Sequence, residues 1–477
     1  MRIKRITVKK FKNLVDFDCE FSDSNISAFI GNNGVGKSNI LELITKAFSN
    51  AMNFSCGKLL PTILPNDKPS VIDCIIEYEL DSTIYQLYYN VGILKATEDN
   101  QMEEGKPPVF VTESIAILHD GKVLKRSEYI NALPTSILLY YAGETNRQKV
   151  NADDTYDKTY DRKLIDAKTD DLPGLRFMDY YNIEDLPLLL LVSAAYKSTE
   201  YNKIMNLFNC NSISSKFSIV LQKPEKAKGE IDTWWNSRGF VKNFLDSLRK
   251  YVSATQDMSK KYFMFFDSAD ELQKLADNEY ELFSKLKALK NYGILNHIGI
   301  GLEKDMVDTP FSQSALSEGE KQMALIYLLT SFSAKSNSLY LFDEFDAYLH
   351  PNWQRSISKM LNDIDVNGHI IFTTHSPASI SKMQRENVYL LKSGKVHNAI
   401  SETFNRSLDE IMEEQMEVPL RPQEYTELVQ EFRNAIIHNQ KNIALAKLDQ
   451  IKEVIGEDDP FFITARIAME RMRRYEH

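Results

Sequence analysis

Gly31-Asn32-Asn33-Gly34-Val35-Gly36-Lys37-Ser38 constrains this chain more than any other stretch. It fits the phosphate-loop pattern G-x-x-x-x-G-K-[ST] at every fixed position, and its surroundings are those such a loop needs. Ser27 to Ile30 is a short apolar run that reads as a buried strand, while Ile40, Leu43, Ile44, Ala47 and Phe48 recur with helical period. A strand feeding a glycine-rich turn that opens a helix aims backbone N–H groups at one point, where a phosphate gains both their hydrogen bonds and the helix dipole. Asn32, Asn33, Gly34, Val35 and Gly36 are expected to cradle the phosphates of ATP, with Asn39 on the first helical turn. Lys37 is expected to reach the β- and γ-phosphates, and the Ser38 hydroxyl to ligate Mg²⁺.

A second segment supplies the acids this chemistry requires. Leu339-Tyr340-Leu341-Phe342-Asp343-Glu344 is an apolar strand ending in two carboxylates. Attack of water on a phosphate needs one carboxylate at the metal and another at the water. Neighbouring residues leaving a buried strand deliver both, so Asp343 is assigned to Mg²⁺ and Glu344 to the attacking water.

The remaining pattern is that of a globular α/β protein. Arg2 to Val8 and Phe17 to Phe21 alternate as strands, and Val71 to Leu80 with Thr83 to Val91 flank Asp81-Ser82 as a β-hairpin does. Ser136 to Tyr141 is a further strand, followed by a polar stretch that suggests a boundary near residue 150. From there to about residue 290 helical spacing dominates, as in Asp185 to Phe208, Phe240 to Val252 and Ala269 to Leu289. Trp234-Trp235 in this region fits core or interface, with stacking on a base as the alternative. Strand signals return at Leu339 to Phe342 and His369 to Thr374 around a helix from Asn352 to Ile364, the β-α-β order of a parallel sheet. Val388 to Leu391 and Val396 to Ile400 form a closing hairpin, and three short amphipathic helices follow over 425–439, 441–455 and 461–474.

Composition excludes several classes. A net charge of −10 disfavours a globally basic nucleic-acid binder, leaving DNA contact to a local patch. Cys19, Cys56, Cys74 and Cys210 are scattered without a C-x-x-C pair, which fits reduced core thiols rather than a disulfide framework or zinc site. The start lacks a signal-peptide core and the richest apolar stretch, Leu186 to Ala195, is too short to span a bilayer, so a cytoplasmic chain without a membrane partner is expected.

Leu316-Ser317-Glu318-Gly319-Glu320-Lys321-Gln322 resembles the signature of ABC ATPases, although Ser317 and Glu320 also spell a helix capping box. In that family this helix start faces the γ-phosphate held by a second protomer. The resemblance therefore implies that Ser317, Gly319 and Glu320 complete the site of another copy in a homodimer or higher homo-oligomer. Asp346-Ala347-Tyr348-Leu349-His350-Pro351 lies where the family has its D-loop, and Thr373-Thr374-His375-Ser376 where it keeps a switch histidine, making His375 a γ-phosphate sensor. Phe11-Lys12-Asn13 looks like the segment of SMC and RecF heads near the adenine, which brings in Lys12 and Asn13. Tyr140 to Gln148 sits at the Q-loop position without a matching residue.

The implied fold class is α/β: an ABC-ATPase head, with a mixed core sheet and an antiparallel β layer, an inserted helical lobe and a C-terminal helical tail. The corresponding segments are 1–150, 151–292, 293–405 and 406–477. No long heptad arm or C-x-x-C hook is present, unlike coiled-coil repair ATPases, and the tail does not resemble the Toprim domain of OLD nucleases. The LSEGEKQ, DEFDAYLHP and TTHSP segments, with Ser407-Leu408-Asp409-Glu410 through Arg421-Pro422, resemble the PtuA ATPases of Septu and related retron anti-phage systems. That resemblance implies a partner HNH nuclease governed by nucleotide state. A RecF-like or restriction-associated DNA-sensing ATPase, and an ATP-binding scaffold with little turnover, are the alternatives.

Overall fold

The computed structural model describes residues 1–58, 72–95, 109–143, 147–165, 174–225, 227–258, 260–305, 309–333, 337–398, 423–438, 440–456, 459 and 461–474. They fall into two compact units, Met1–Arg406 and Ser407–His477. The segment from Ser407 through Arg421-Pro422 lies outside the described residues.

The first unit begins with an antiparallel pair, β1 (Arg2–Phe11) and β2 (Leu14–Glu20). Their alternation buries Ile3, Ile6, Val8, Phe11, Leu14, Phe17 and Cys19 on one face. Next come β3 (Ile26–Ile30) and helix α1 (Lys37–Ser55), then β4 (Ile72–Leu80), β5 (Thr83–Lys95), β6 (Val109–His119) and β7 (Lys122–Val123). These complete a six-stranded layer of order β2-β1-β4-β5-β6-β7. Helix α1 buries Ile40, Leu43, Ile44, Ala47 and Phe48 in a core shared with this layer and with Leu139, Leu341 and Ile371 of a second sheet. A helix enclosed by apolar surface on more than one side carries apolar residues around most of its circumference.

That second sheet holds the core. It consists of β3, β8 (Ser136–Tyr141), β9 (Met178–Tyr181), β15 (Ser338–Asp343), β16 (Gly368–Thr374), β17 (Val388–Lys392) and β18 (Lys395–Asn398), in the order β18-β17-β3-β16-β15-β8-β9. All neighbours are parallel except β17 and β18. Every residue of β3, β15 and β16 is buried, as expected of parallel strands covered on both faces. Since β16 pairs with both β3 and β15, the carboxyl ends of three strands meet, where ligands of open α/β sheets bind.

Between β8 and β15 the chain forms α2 (Arg147–Asp154), α3 (Lys158–Ile165), α4 (Leu186–Tyr196), α5 (Thr199–Leu207), α6 (Gly239–Arg249), α7 (Glu279–Asn291) and α8 (Glu318–Ser333). Interleaved with these helices is a five-stranded antiparallel sheet that the helical reading of 151–292 does not anticipate. It is built from β10 (Ser212–Gln222), β11 (Ala254–Met258), β12 (Lys261–Phe266), β13 (Leu295–Glu303) and β14 (Phe311–Ser312), in the order β11-β12-β10-β13-β14. Runs such as Phe217-Ser218-Ile219-Val220-Leu221 are too short for periodicity to separate strand from helix. Long-range pairing decides them. Trp234 and Trp235 are buried, and the Trp234 indole donates to Asp246 Oδ1 at 2.7 Å, which places both rings in the packing of this region.

A buried ionic cluster joins the insertion to the edge of the core sheet. Lys287 of α7 lies 3.1 Å from Asp185 and 3.6 Å from Asp179 of β9, and its ammonium sits 4.2 Å from the Tyr181 ring centroid. Burial opposes the charge on Lys287, yet Asp179 and Asp185 outweigh it and hold its pKa above the ordinary lysine value. Lys287→Met is expected to destabilise the protein by about 3–5 kcal/mol, because it strips a buried carboxylate of a partner. Denaturant unfolding checks this; a loss below about 1 kcal/mol would show that Lys290 alone satisfies Asp185.

After β15 come α9 (Pro351–Asn362) and the short α10 (Pro377–Ile380). The second unit contains α11 (Gln423–Ile437), α12 (Lys441–Ile455) and α13 (Phe461–Arg474). Their apolar stripes meet one another around Phe432, Ala444, Ile451 and Ala465. Ile443 and Leu445 point away from that core and are 48% and 44% exposed. Among the described residues no helix is long and apolar enough to cross a membrane.

Candidate functional site

The loop after β3 folds around its lysine. Lys37 Nζ donates to the Gly31 carbonyl at 2.8 Å and the Asn32 carbonyl at 3.1 Å, drawing the loop into a ring. Gly36 has φ 112°, and a Cβ there would stand 2.7 Å from Asn13 Oδ1. Gly31 has a similar constraint, since its Cβ would meet the Leu391 carbonyl at 2.5 Å. Asn13 itself braces the loop, donating to the Gly34 carbonyl at 3.1 Å and accepting from Asn39 Nδ2 at 2.7 Å. Lys12 instead pairs with Glu42 and lies over the Phe11 ring, with its ammonium tied to α1. Asn32, Asn33 and Gly34 are exposed, with Val35 half-buried behind them.

The carboxylates arrive from β15. Ser38 Oγ donates to Asp343 Oδ1 at 3.0 Å, bringing together the two oxygens assigned to Mg²⁺. Thr373, at the end of β16, donates to the same Asp343 oxygen and accepts the Glu344 N–H at 2.9 Å. One hydroxyl thus orients both acids. In the sequence, Thr373 stands out as one of two hydroxyls that follow the apolar run Ile370 to Phe372 at the end of the strand. Glu344 itself has φ 48°, an uncommon conformation for a non-glycine residue that turns the chain sharply out of the strand.

His375 closes the site. Its ring nitrogens lie 2.9 and 3.2 Å from Lys37 Nζ, and Nε2 is 3.5 Å from Glu344 Oε1. Burial lowers the pKa of His375, and the Lys37 ammonium lowers it further against the pull of Glu344. Burial brings Lys37 down to about 8, although Glu344, Asp343 and Asp346 favour its charge. Asp343 is pushed above the usual carboxylate range by burial, a cost only partly offset by its bonds to Thr373 and Ser38. The arrangement calls for an anion at Lys37 and a cation at Asp343.

This has a pH consequence. A lysine at about 8 in the free protein whose charged form is stabilised by phosphate takes up a proton on binding. Affinity is therefore full below pH 8 and weakens above it, by up to about tenfold per pH unit until the bound-state pKa is reached. Calorimetry in buffers of different ionisation enthalpy should show proton uptake near pH 8. No uptake would mean that Lys37 is already fully charged.

The D-loop is tied to the switch segment. Thr374 and Ser379 both donate to buried Asp346, while Gln354 donates to the Asp346 carbonyl at 3.0 Å and accepts from Ser376 Oγ at 2.7 Å. Ser317 and Glu320 form a reciprocal box at the start of α8: Ser317 N and Oγ donate to Glu320 Oε2 at 2.8 and 2.7 Å, and Glu320 N donates back to Ser317 Oγ at 3.3 Å. Ser317 is exposed, whereas Gly319 is buried where a Cβ would press on the Tyr348 carbonyl at 2.9 Å and the Trp353 ring at 3.0 Å. Glycine there lets the signature helix abut the D-loop. In the Q-loop region, residues 144–146 lie outside the described residues, and Gln148 is buried, accepting from Thr45 Oγ1 at 3.0 Å.

A phosphate loop after β3, paired acids after β15 and a histidine after β16, at one edge of a mostly parallel sheet, define a P-loop nucleoside triphosphatase with an ABC-type head. The chain belongs to the AAA ATPase domain family, whose model matches residues 1–380. It is similar to the retron Ec83 probable ATPase of Escherichia coli, 24% identical over 99% of this chain and 87% of that one. It is also similar to the retron Vc95 probable ATPase of Vibrio cholerae serotype O1 biovar El Tor, 24% identical over 94% and 86% of the two chains. Solved structures with some likeness are the SMC head domain from Thermotoga maritima, with TM-score 0.35, 12% identity and coverage of 84% of this chain and 100% of that one. The recombination mediator protein RecF has TM-score 0.34 and 15% identity, covering 83% of this chain and 97% of that one.

Proposed function

We propose that this chain binds ATP with Mg²⁺ and hydrolyses it at a site completed by the signature helix of a second copy. The reading rests on one juxtaposition: Lys37, Ser38, Asp343, Glu344 and His375 converge from three strand ends, with the lysine, the histidine and both acids within one set of contacts. Ser38 and Asp343 offer hard oxygen donors and fit Mg²⁺, which neutralises phosphate charge when bound. Among the described residues no group of three or more His, Cys, Asp or Glu forms a metal cage, in keeping with an ion held largely by the nucleotide. Lys37 releases His375 and takes up the β- and γ-phosphates, Glu344 orients and deprotonates the attacking water, and His375 hydrogen-bonds the γ-phosphate. The exposed box at Ser317 presents a helix N-terminus to the γ-phosphate held by the other copy. Phosphate release by the purified chain, requiring Mg²⁺ and rising more steeply than linearly with protein concentration, tests this.

The wider role we propose is nucleotide-controlled regulation of a partner nuclease of HNH type in anti-phage defence. Support comes from the names of the retron relatives and from the PtuA-like segments. The tail offers a docking element, since Ile437, Ile463 and Ile467 stay 75%, 66% and 49% exposed. Deleting residues 424–477 is expected to leave ATP binding intact while the chain no longer co-purifies with the proposed partner nuclease. Retention of the nuclease would place docking elsewhere.

A further inference from the structure

We propose that Gln322 is a positioning residue for ATP turnover: its side-chain amide, unpaired in the free protein, bonds the Tyr140 hydroxyl when the signature helix closes on the nucleotide of a second copy. This rests on the ATPase reading above. Gln322 lies on α8 just after the Ser317–Glu320 box and is 1% exposed. Among the described residues neither its Oε1 nor its Nε2 has a hydrogen-bond partner. Both ends of the amide have therefore lost water without replacement, and each buried polar group left unpaired costs stability. Met323, Ala324, Leu325 and Ile326 follow it into the core, so an apolar side chain would suit the position in the nucleotide-free state.

The group across from the amide is a phenol. Tyr140 is buried near the end of β8, and its hydroxyl faces Gln322 without completing a hydrogen bond. Burial pushes the Tyr140 pKa above its ordinary value, against a pull from Gln322, so the hydroxyl stays protonated and can either donate or accept. Tyr180, Tyr348 and Glu318 lie near the same hydroxyl. One phenol thus stands where β9, the D-loop and the signature helix come together.

Strand register carries this contact to the chemistry. Tyr140 pairs with Phe342 and Tyr141 with Asp343, and the Ala142 N–H donates to the Asp343 carbonyl at 3.3 Å. Tyr180 in turn donates to the Tyr141 carbonyl at 3.3 Å, which braces the same end of β8 from the other side. A shift of α8 that brings the Gln322 amide onto Tyr140 therefore seats the signature helix on the strand pair that carries the metal-site carboxylate. An amide unpaired in one arrangement and bonded in the other favours the second by the whole difference, and this biases the head toward closure.

The full-length parent, Gln322→Leu, Tyr140→Phe and the double variant are compared by denaturant unfolding without nucleotide and by steady-state ATP hydrolysis. Gln322→Leu is expected to unfold at a higher denaturant concentration than the parent, because it replaces an unpaired amide with an apolar group of similar size. The same variant is expected to lose about three- to tenfold in kcat, the worth of one neutral hydrogen bond, with KM for ATP within about twofold of the parent. Tyr140→Phe is expected to lose as much kcat, and the double variant no more than either, because all three lack the same bond. A lower unfolding midpoint for Gln322→Leu would overturn the proposal by showing that the amide already holds a partner such as a buried water. Unchanged kcat would make the amide a packing defect without a role in turnover, and kcat losses that multiply in the double variant would show that the two groups do not meet. A parent that hydrolyses no ATP would instead overturn the ATPase reading and this proposal with it, an outcome distinct from an active parent with an equally active Gln322→Leu.

Discussion

Lys37→Ala is expected to weaken ATP binding by at least about a hundredfold, since each charge-assisted bond contributes roughly 1.5–3 kcal/mol and the ammonium would make more than one. Glu344→Gln is expected to leave binding within a few-fold of the parent while lowering turnover by about 10²–10⁴, the range of a general base. The two effects separate because Lys37 contacts the bound nucleotide and Glu344 contacts the water. Equilibrium nucleotide binding and single-turnover phosphate release measure them independently. Hydrolysis by Glu344→Gln at the parental rate would sink the assignment of Glu344. Retained affinity in Lys37→Ala would mean that the loop backbone alone holds the phosphates.

Mixing experiments should give the second large effect. Ser317→Arg and Lys37→Ala are each expected to be inactive alone, because each symmetric dimer lacks one half of both sites. Mixed in equal amounts, half the dimers are heterodimers with one site free of either lesion, so activity recovers to about a quarter of the parental value. The geometry motivates the pair of positions: Ser317 is exposed and its hydroxyl bonds Glu320 within its own helix start, while Lys37 sits inside the loop. Absence of complementation, together with activity strictly linear in concentration, would show that one copy suffices.

The motifs were legible because each lies within a few consecutive residues. Gly31 to Ser38 announces a phosphate loop, Leu339 to Glu344 a strand ending in acids, and Ser317 with Glu320 a helix start. The strands between residues 212 and 266 were not legible. A run such as Lys261 to Phe266 takes its conformation from β10 and β11 alongside it, and neither partner is visible in its own spacing. Thr373 likewise gains its part only when β16 lies beside β15, where its hydroxyl reaches both Asp343 and the Glu344 amide.

What short stretches of the chain encode is the chemical inventory and a few local conformations: the glycine turn around a lysine, the adjacent acids, the capped helix and the three apolar stripes of the tail. These depend on neighbours within about one helical turn, and the chain carries them wherever it goes. Packing at long range sets His375 against Lys37, 338 residues away along the chain, and Lys287 against Asp185 across 102 residues. Pairing likewise sets Lys261 to Phe266 as a strand between β10 and β11. Such placements follow from strand pairing and helix docking that bury whole faces at once, so no short stretch of the chain encodes them alone.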